Sequence, residues 1–440
     1  MILAGFISMM IITGCKTTPV ASLPNACFTP SEDVVAVNDD VIFSNCSSSA
    51  DSYSWTFGDG ETSNDVSPVH NYTANGTYTV ELTATNATGI DKTSTTINVG
   101  GTGCVKEVVV VSASINTAMT WDSCHIYYCS YFPILYATLT IEPGTIVKFA
   151  SQKGMGIGAG GKLLVEGTAD APVIFTSAAD DSYGGDTNGD GSATSPDKGD
   201  WQYITLGNSS NNSIDYCKIL YAGYATANYE QAINMGSGGN NSITNSVIAH
   251  TFGGLIANFA ALNMSWCPIS CVSTNNTFFD NGHPVIIGIS SNFDNSNSFH
   301  NPDDISETNL CNGIFVDCTH SSQALTMNWS NTEVPYVFGG NLGNSWAMTS
   351  GRTLVLGNDV ALKFQTYNPL PGFAILMPDG DIQLQNHGGS GVEFTAYNDD
   401  TSKGDTNGDG PSTSTNGYWG GISTVGITWY TWSNIYFDSH

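Results

Sequence analysis

The sequence is short of positive charge. Its 440 residues hold 11 Lys and Arg against 39 Asp and Glu, a formal net charge of −28. Arg352 is its single arginine. This argues against nucleic acid as a partner, because gripping a phosphate backbone needs clustered Lys and Arg. Charge of either sign is scarce, at 11% of residues, so polarity comes largely from Asn, Ser, Thr and Gly. These residues suit stacked turns and exposed strand faces. Low-complexity tracts are missing and aromatics make up 11%, which argues against disorder. No stretch carries a helical period. The length suits two or three domains with a large core.

The one long apolar run, Ile2 to Ile12, is too short to cross a bilayer as a mature helix. Ile12-Thr13-Gly14-Cys15 follows it, and no Lys or Arg precedes Cys15. Small residues just before a cysteine resemble a bacterial lipoprotein signal. The resemblance implies a signal peptide over 1–14, a lipid anchor on Cys15 and a Pro- and Ser-containing tether over 15–25. It further implies a membrane attachment through the lipidated N-terminus, on the outer membrane or cell surface. An ordinary secretory signal and a secreted protein are the alternative. Either way the cysteines meet an oxidising compartment. Besides Cys15 there are ten. Cys27 with Cys46, Cys267 with Cys271 and Cys311 with Cys318 are plausible disulfides, though spacing does not fix connectivity. Paired CxxC knuckles are lacking, which disfavours zinc.

Residues 26–99 read as short alternating strands. Tyr53, Trp55 and Phe57 share one strand face, as do Tyr78, Val80 and Leu82. The expectation is an all-β sandwich of immunoglobulin size. WTFGDG (Trp55 to Gly60) followed by PVHNYTANGTYTVELTATNATG (Pro68 to Gly89) resembles a PKD domain. The resemblance implies an extracellular spacer or binding module. Asp59 is read as a turn residue, and Trp55 as core rather than a sugar platform.

From about 105 to 440 the chain alternates short apolar strands with Asn-, Gly- and Asp-rich turns, spaced as solenoid coils are. ATLTIEPGTIVKF (Ala137 to Phe149) matches RTLVLGNDVALKF (Arg352 to Phe364), and DTNGDG occurs at Asp186 and again at Asp405. This is a two-fold internal repeat, about 106–333 and 334–440, with the second copy incomplete. TLTIEPGTIVKF, GKLLVEGTADAPVIFTS and the acidic loop ending in GDW resemble secreted bacterial proteins with a right-handed parallel β-helix. Asn in the turns is expected to bond from coil to coil.

DTNGDG follows the first half of an EF-hand-type loop, in which alternate side chains converge on one cation and Gly allows the sharp turn. Asp186, Asn188, Asp190 and Asp197 are the candidate ligands in the first copy. In the second they are Asp405, Asn407 and Asp409, with Asn416 where Asp197 would fall. Asp180, Asp181, Asp399 and Asp400 are possible additions. All-oxygen ligation points to calcium in a structural role. Trp201 and Trp419 are expected to pack beneath these loops.

Many β-helices degrade polysaccharides, so an extracellular lyase or glycoside hydrolase has to be weighed. His300, Asp303 and Asp304 are the weak catalytic candidates; His250, His320 and His387 stand isolated in sequence and read as turn or core residues. Lys148 and Lys363 recur in equivalent strands, which suggests architecture. The leading reading is a non-catalytic surface adhesion protein that binds a glycan or a surface protein. The alternatives are the enzyme and a structural stalk. Exposed aromatic rows would favour glycan binding, and a carboxylate pair in a groove the enzyme.

Overall fold

A computed structural model describes residues 22–35, 37–74, 76–99, 106–224, 231–252, 260–317, 326–338, 353–364, 383–386, 392–396, 403 and 435–437. Cys15, Cys318, Arg352, Asp399, Asp400, Asp405, Asn407, Asp409 and Trp419 lie outside the described residues, as do His320 and His387. The chain divides into two compact units, Met1–Val105 and Lys106–His440. No helix is long and apolar enough among the described residues to cross a membrane.

The first unit is a β-sandwich. Phe28–Pro30, Asp40–Asn45 and Val69–Asn71 make a three-stranded antiparallel sheet. Gly76–Asn86 and Gly89–Val99 form a long hairpin in the second sheet, with Ser52–Thr56 on its other side. Alternation along Gly76–Asn86 buries Val80, Leu82 and Ala84 and exposes their neighbours. Val80 and Leu82 meet Val41, Phe43, Trp55, Phe57 and Ile97 in one core. Each such side chain contributes about 1.5–3 kcal/mol on burial. Trp55 is fully buried, its indole N–H donating to the Asp65 carbonyl at 2.9 Å, so it is a core residue. A disulfide joins Cys27 and Cys46 across adjacent strands, Cα atoms 4.8 Å apart.

Asp59 serves its turn. It accepts the Glu61 amide at 2.9 Å and faces His70 Nε2 at 2.7 Å. Burial raises its pKa, but the Glu61 amide and His70 outweigh burial and hold the carboxyl below its ordinary value.

The second unit is a parallel β-helix. Every strand pairing within it, among the described residues, is parallel, and strands next in sequence fall in different sheets until about residue 288. The first face has six strands, from Met119–Trp121 to Val272–Thr274. The second has seven, from Glu107–Val111 to Thr277–Phe279. The third has eleven, from Ile134–Leu135 to Ile435–Phe437. Inward side chains stack coil on coil: Ile141, Val165, Ile214 and Ile243 on the first face, and Val147, Phe175, Ile219, Ile248 and Phe278 on the second. No single coil buries these alone, so the core exists only through stacking.

Corners between faces are built on asparagine. Asn211, Asn240, Asn245 and Asn275 hold left-handed backbone, which Asn tolerates well. Beside them run buried ladders. Asn212 donates to Asn241 Oδ1 at 2.9 Å, Asn276 to Asn297 Oδ1 at 3.1 Å, and Asn281 to Asn309 Oδ1 at 2.8 Å. Each carboxamide satisfies its own coil and the next, so the polar turns are buried without loss.

The matching phrases of the two copies both fall on buried strands. Lys148 pairs in register with Thr176, and Lys363 with Thr395. All four are buried. One difference separates the copies: Ile146–Phe149 belongs to the seven-stranded second face, whereas Ala361–Phe364 continues the eleven-stranded third. The second face ends at Thr277–Phe279 among the described residues, so the later strand stacks on the sheet that persists.

Candidate calcium loop and binding face

The segment 178–203 leaves the second face after Val173–Ser177 and returns at Ile204–Thr205. It lies over the outside of that face. Tyr183 packs on the outward cluster Ile126, Ile146 and Ile174. Gly184 approaches so closely that an added Cβ would stand 2.6 Å from Ile126 Cδ1. Its left-handed φ of 73° also requires glycine. Trp201 closes the segment. It is fully buried, stacked on Phe149 at 4.3 Å, with its indole N–H on the Leu220 carbonyl at 2.7 Å.

A buried cation anchors the loop. Lys148 points outward from its strand yet is 0% exposed, because the loop covers it. Its Nζ donates to the Gly185 carbonyl at 2.6 Å. Burial lowers its pKa, while Asp180, Asp181 and Asp186 act in the opposite sense, so three loop carboxylates share one internal ammonium. Asp180 is itself held by Thr176, whose hydroxyl donates at 2.6 Å.

DTNGDG makes a tight hairpin within this loop. Asp186 accepts the amides of Gly189 at 2.7 Å, Asp190 at 3.2 Å and Gly191 at 2.8 Å. Led by the Gly191 amide, these bonds hold its carboxyl below the ordinary range. Asn188 donates to Asp190 Oδ2 at 3.0 Å, and Thr194 donates to the same oxygen at 2.5 Å. Asp190 Oδ1 is left buried with no hydrogen-bond partner, and so is Asp181 Oδ1. Asp197 sits elsewhere in the loop, exposed, with Oδ1 on the Lys198 amide at 2.8 Å. Asp186, Asp190 and Asp197 do not bring three carboxylates within 4.8 Å of one another; among the described residues only His250, Asp280 and Glu307 do so as a group. The hairpin thus gathers Asp186, Asn188 and Asp190.

The outer side of the third face carries aromatic rings over a glycine floor. Tyr136 is 50% exposed and Tyr131 is 47% exposed. Gly154, Gly156 and Gly158 lie in and beside the strand Met155–Ile157 of the next coil. A Cβ at Gly158 would meet the Tyr136 ring at 2.6 Å, and one at Gly154 or Gly156 would meet Phe132 at 3.0 or 3.2 Å. Phe132 in turn meets Tyr203 edge-on, centroids 5.6 Å apart. The glycines in GMGIGAG therefore let rings lie across the sheet. Sequence alone does not point to these glycines, because the Phe132 and Tyr136 rings reach them from the preceding coil.

The weak catalytic candidates are not gathered into a groove. His300 Nδ1 faces Glu333 Oε1 at 2.6 Å, a carboxylate distant in sequence. Asp304 caps its own turn, accepting the Ser306 amide at 3.0 Å and hydroxyl at 2.6 Å, and these bonds lower its pKa. Asp303 is exposed on the same turn. Cys267 and Cys271 lie side by side in the core, while Cys129 and Cys217 are separate buried thiols. Cys124 is disulfide-bonded. His250 is not isolated: it faces Asp280 at 2.7 Å.

Comparison with known proteins bears on the first unit. The PKD domain family matches residues 17–100. The PKD1 domain of Vibrio anguillarum Epp is 34% identical over 18% of this chain and 96% of its own, with a TM-score of 0.16. The PKD1 domain from Vibrio cholerae metalloprotease PrtV is 36% identical over 18% of this chain and 98% of its own, also with a TM-score of 0.16. A structure described as concerning carbohydrate-binding modules from the β-sandwich superfamily is 29% identical, covering 20% of this chain and 38% of that one, with a TM-score of 0.18. This chain therefore spans well under half the length of that protein. No curated protein matches the chain. The first unit is thus a PKD-type, immunoglobulin-like β-sandwich, and a parallel β-helix follows it.

Proposed function

We propose that the protein is a non-catalytic, surface-attached binding protein whose β-helix holds an uncharged glycan. The observation that carries this reading is Tyr136, half-exposed with its ring against Gly158, beside Phe132, which lies against Gly154 and Gly156 and meets Tyr203 edge-on. An exposed ring face suits the apolar face of a sugar ring. A formal charge of −28 repels uronate-rich or sulfated polymers, which favours a neutral one. The PKD domain serves as spacer, and Cys15 as lipid anchor on the cell surface or outer membrane.

Calcium stabilises the loop in this reading. Asp190 Oδ1 and Asp181 Oδ1 are buried without partners, and an orphaned carboxylate oxygen is costly unless a cation meets it. Asp186 keeps one acceptor position, on Oδ2, since Oδ1 already takes two amides. Asp186, Asn188 and Asp190 would hold the ion. Asp405, Asn407 and Asp409 would do the same in the second copy, with Asp399 and Asp400 beside them.

The competing reading, a polysaccharide-degrading enzyme, needs two carboxylates across a cleft. Asp303 and Asp304 share one exposed turn instead. Affinity electrophoresis of the mature protein through neutral polysaccharides tests the proposal. Retardation that is lost in Tyr136→Ala supports it. Equal retardation of both proteins, or none for either, refutes the site.

A further inference from the structure

The corner that follows the second face breaks the asparagine rule. At the other two corners left-handed positions carry Asn211 and Asn240, or Tyr216, Asn245 and Asn275. At this one, successive coils carry Tyr221, His250 and Asp280, with φ of 64°, 55° and 50°. Asn would satisfy that backbone equally well, so conformation alone does not explain His and Asp here.

Their side chains converge. His250 Nδ1 lies 2.7 Å from Asp280 Oδ2. Glu307 comes from the segment that follows, which the Asp280 amide ties down through the Thr308 carbonyl at 3.1 Å. Ligand atoms of His250, Asp280 and Glu307 all lie within 4.8 Å of one another. All three side chains are half-buried, so solvent reaches them. The outer partners are in place as well. Tyr221 stacks on the His250 ring at 5.3 Å, with Phe279 edge-on to it at 5.4 Å, fixing the imidazole plane. Asn301 donates to Glu307 Oε2 at 2.6 Å and leaves Oε1 available. Lys198 Nζ stands 2.6 Å from Asp280 Oδ1, where it supplies a positive charge.

We propose that His250, Asp280 and Glu307 form a binding site for one borderline divalent cation of the zinc type, separate from the calcium loop. One imidazole with two carboxylates suits zinc or cobalt better than calcium, which takes oxygen alone. Two ligands on a tetrahedral ion with bonds of about 2.1 Å stand about 3.4 Å apart, so His250 Nδ1 and Asp280 Oδ2, 2.7 Å apart, separate slightly to admit the ion. The ion takes the place of the proton between Nδ1 and Oδ2, and that proton passes to solvent. Lys198 keeps Asp280 Oδ1 as an outer partner. Three protein ligands leave a position open to water or a small oxygen donor.

The test is Co(II) titration of the full mature chain in excess calcium, followed by visible absorption and equilibrium dialysis. Calcium occupies all-oxygen sites, so cobalt reports the nitrogen-containing one. His250→Asn is the informative variant, because Asn occupies the equivalent corners and preserves the backbone. The site predicts one cobalt per chain with a visible band. His250→Asn should weaken binding by more than the 10–100-fold that loss of an outer partner costs. His125→Asn, on another coil, should bind as the parent does. Absence of a stoichiometric cobalt band, or equal binding by His250→Asn, overturns the assignment and leaves the three residues as a hydrogen-bonded corner.

Discussion

Replacing Lys148 with Met keeps the length of the buried stem and removes its charge. The wild-type ammonium is fully buried, bonds the Gly185 carbonyl at 2.6 Å and faces Asp180, Asp181 and Asp186. A charge-assisted hydrogen bond of this kind is worth about 1.5–3 kcal/mol, and breaking a buried pair costs up to about 5 kcal/mol. A loss of about 3 kcal/mol confined to the loop raises its opening constant roughly 100-fold, since each 1.4 kcal/mol is a factor of ten. Hydrogen exchange reads this directly at the amides of Gly189, Asp190 and Gly191, which the Asp186 carboxylate protects. Exchange there should accelerate by about two orders of magnitude in Lys148→Met, while strands such as Lys162–Glu166 keep their rates. Unchanged exchange at the three loop amides would refute the view that a buried lysine pins the acidic loop to the solenoid.

Three further outcomes follow from the same geometry. Calcium should protect segment 178–203 from proteolysis in the parent, and Asp190→Asn should abolish most of that protection, as read by cleavage rate in calcium against chelator. Replacing Cys27 and Cys46 with Ser should destabilise the PKD unit by about 3 kcal/mol, measured by urea unfolding of the full chain. Asp59 has a lowered folded-state pKa, so its stabilising contribution is complete above the ordinary value of 3.8 and fades as pH falls below it. Exchange protection of the first unit should therefore drop between about pH 4 and pH 2 in the parent, and Asp59→Asn should flatten that dependence.

Much of the fold was legible because its signals are periodic. Alternating Tyr53, Trp55 and Phe57 announced a strand, and the VKF and LKF phrases announced two strands that lie on different faces. The shared burial of Lys148 and Lys363, and their shared register with Thr176 and Thr395, give those phrases their physical meaning. Asn-rich turns likewise foretold the ladders through Asn212, Asn276 and Asn281. What stayed hidden depends on which coils lie side by side. His250 and Asp280 are 30 residues apart and meet only because one coil is that long. His300 finds Glu333 across 33 residues for the same reason. Asp303 and Asp304 looked paired because they are adjacent in sequence, yet adjacency put them on one exposed turn rather than across a groove. The glycine run before Lys162 gains its meaning only from Phe132 and Tyr136, which approach it from the preceding coil.

The account turns on binding without cleavage at the aromatic strip. Its most direct test is size-exclusion chromatography of neutral polysaccharides incubated with the mature protein, in calcium and in chelator, beside Tyr136→Ala. The account predicts that one polymer co-elutes with the parent at unchanged size, and that Tyr136→Ala elutes apart from it. A polymer that shortens with time would contradict the account and make the protein an enzyme.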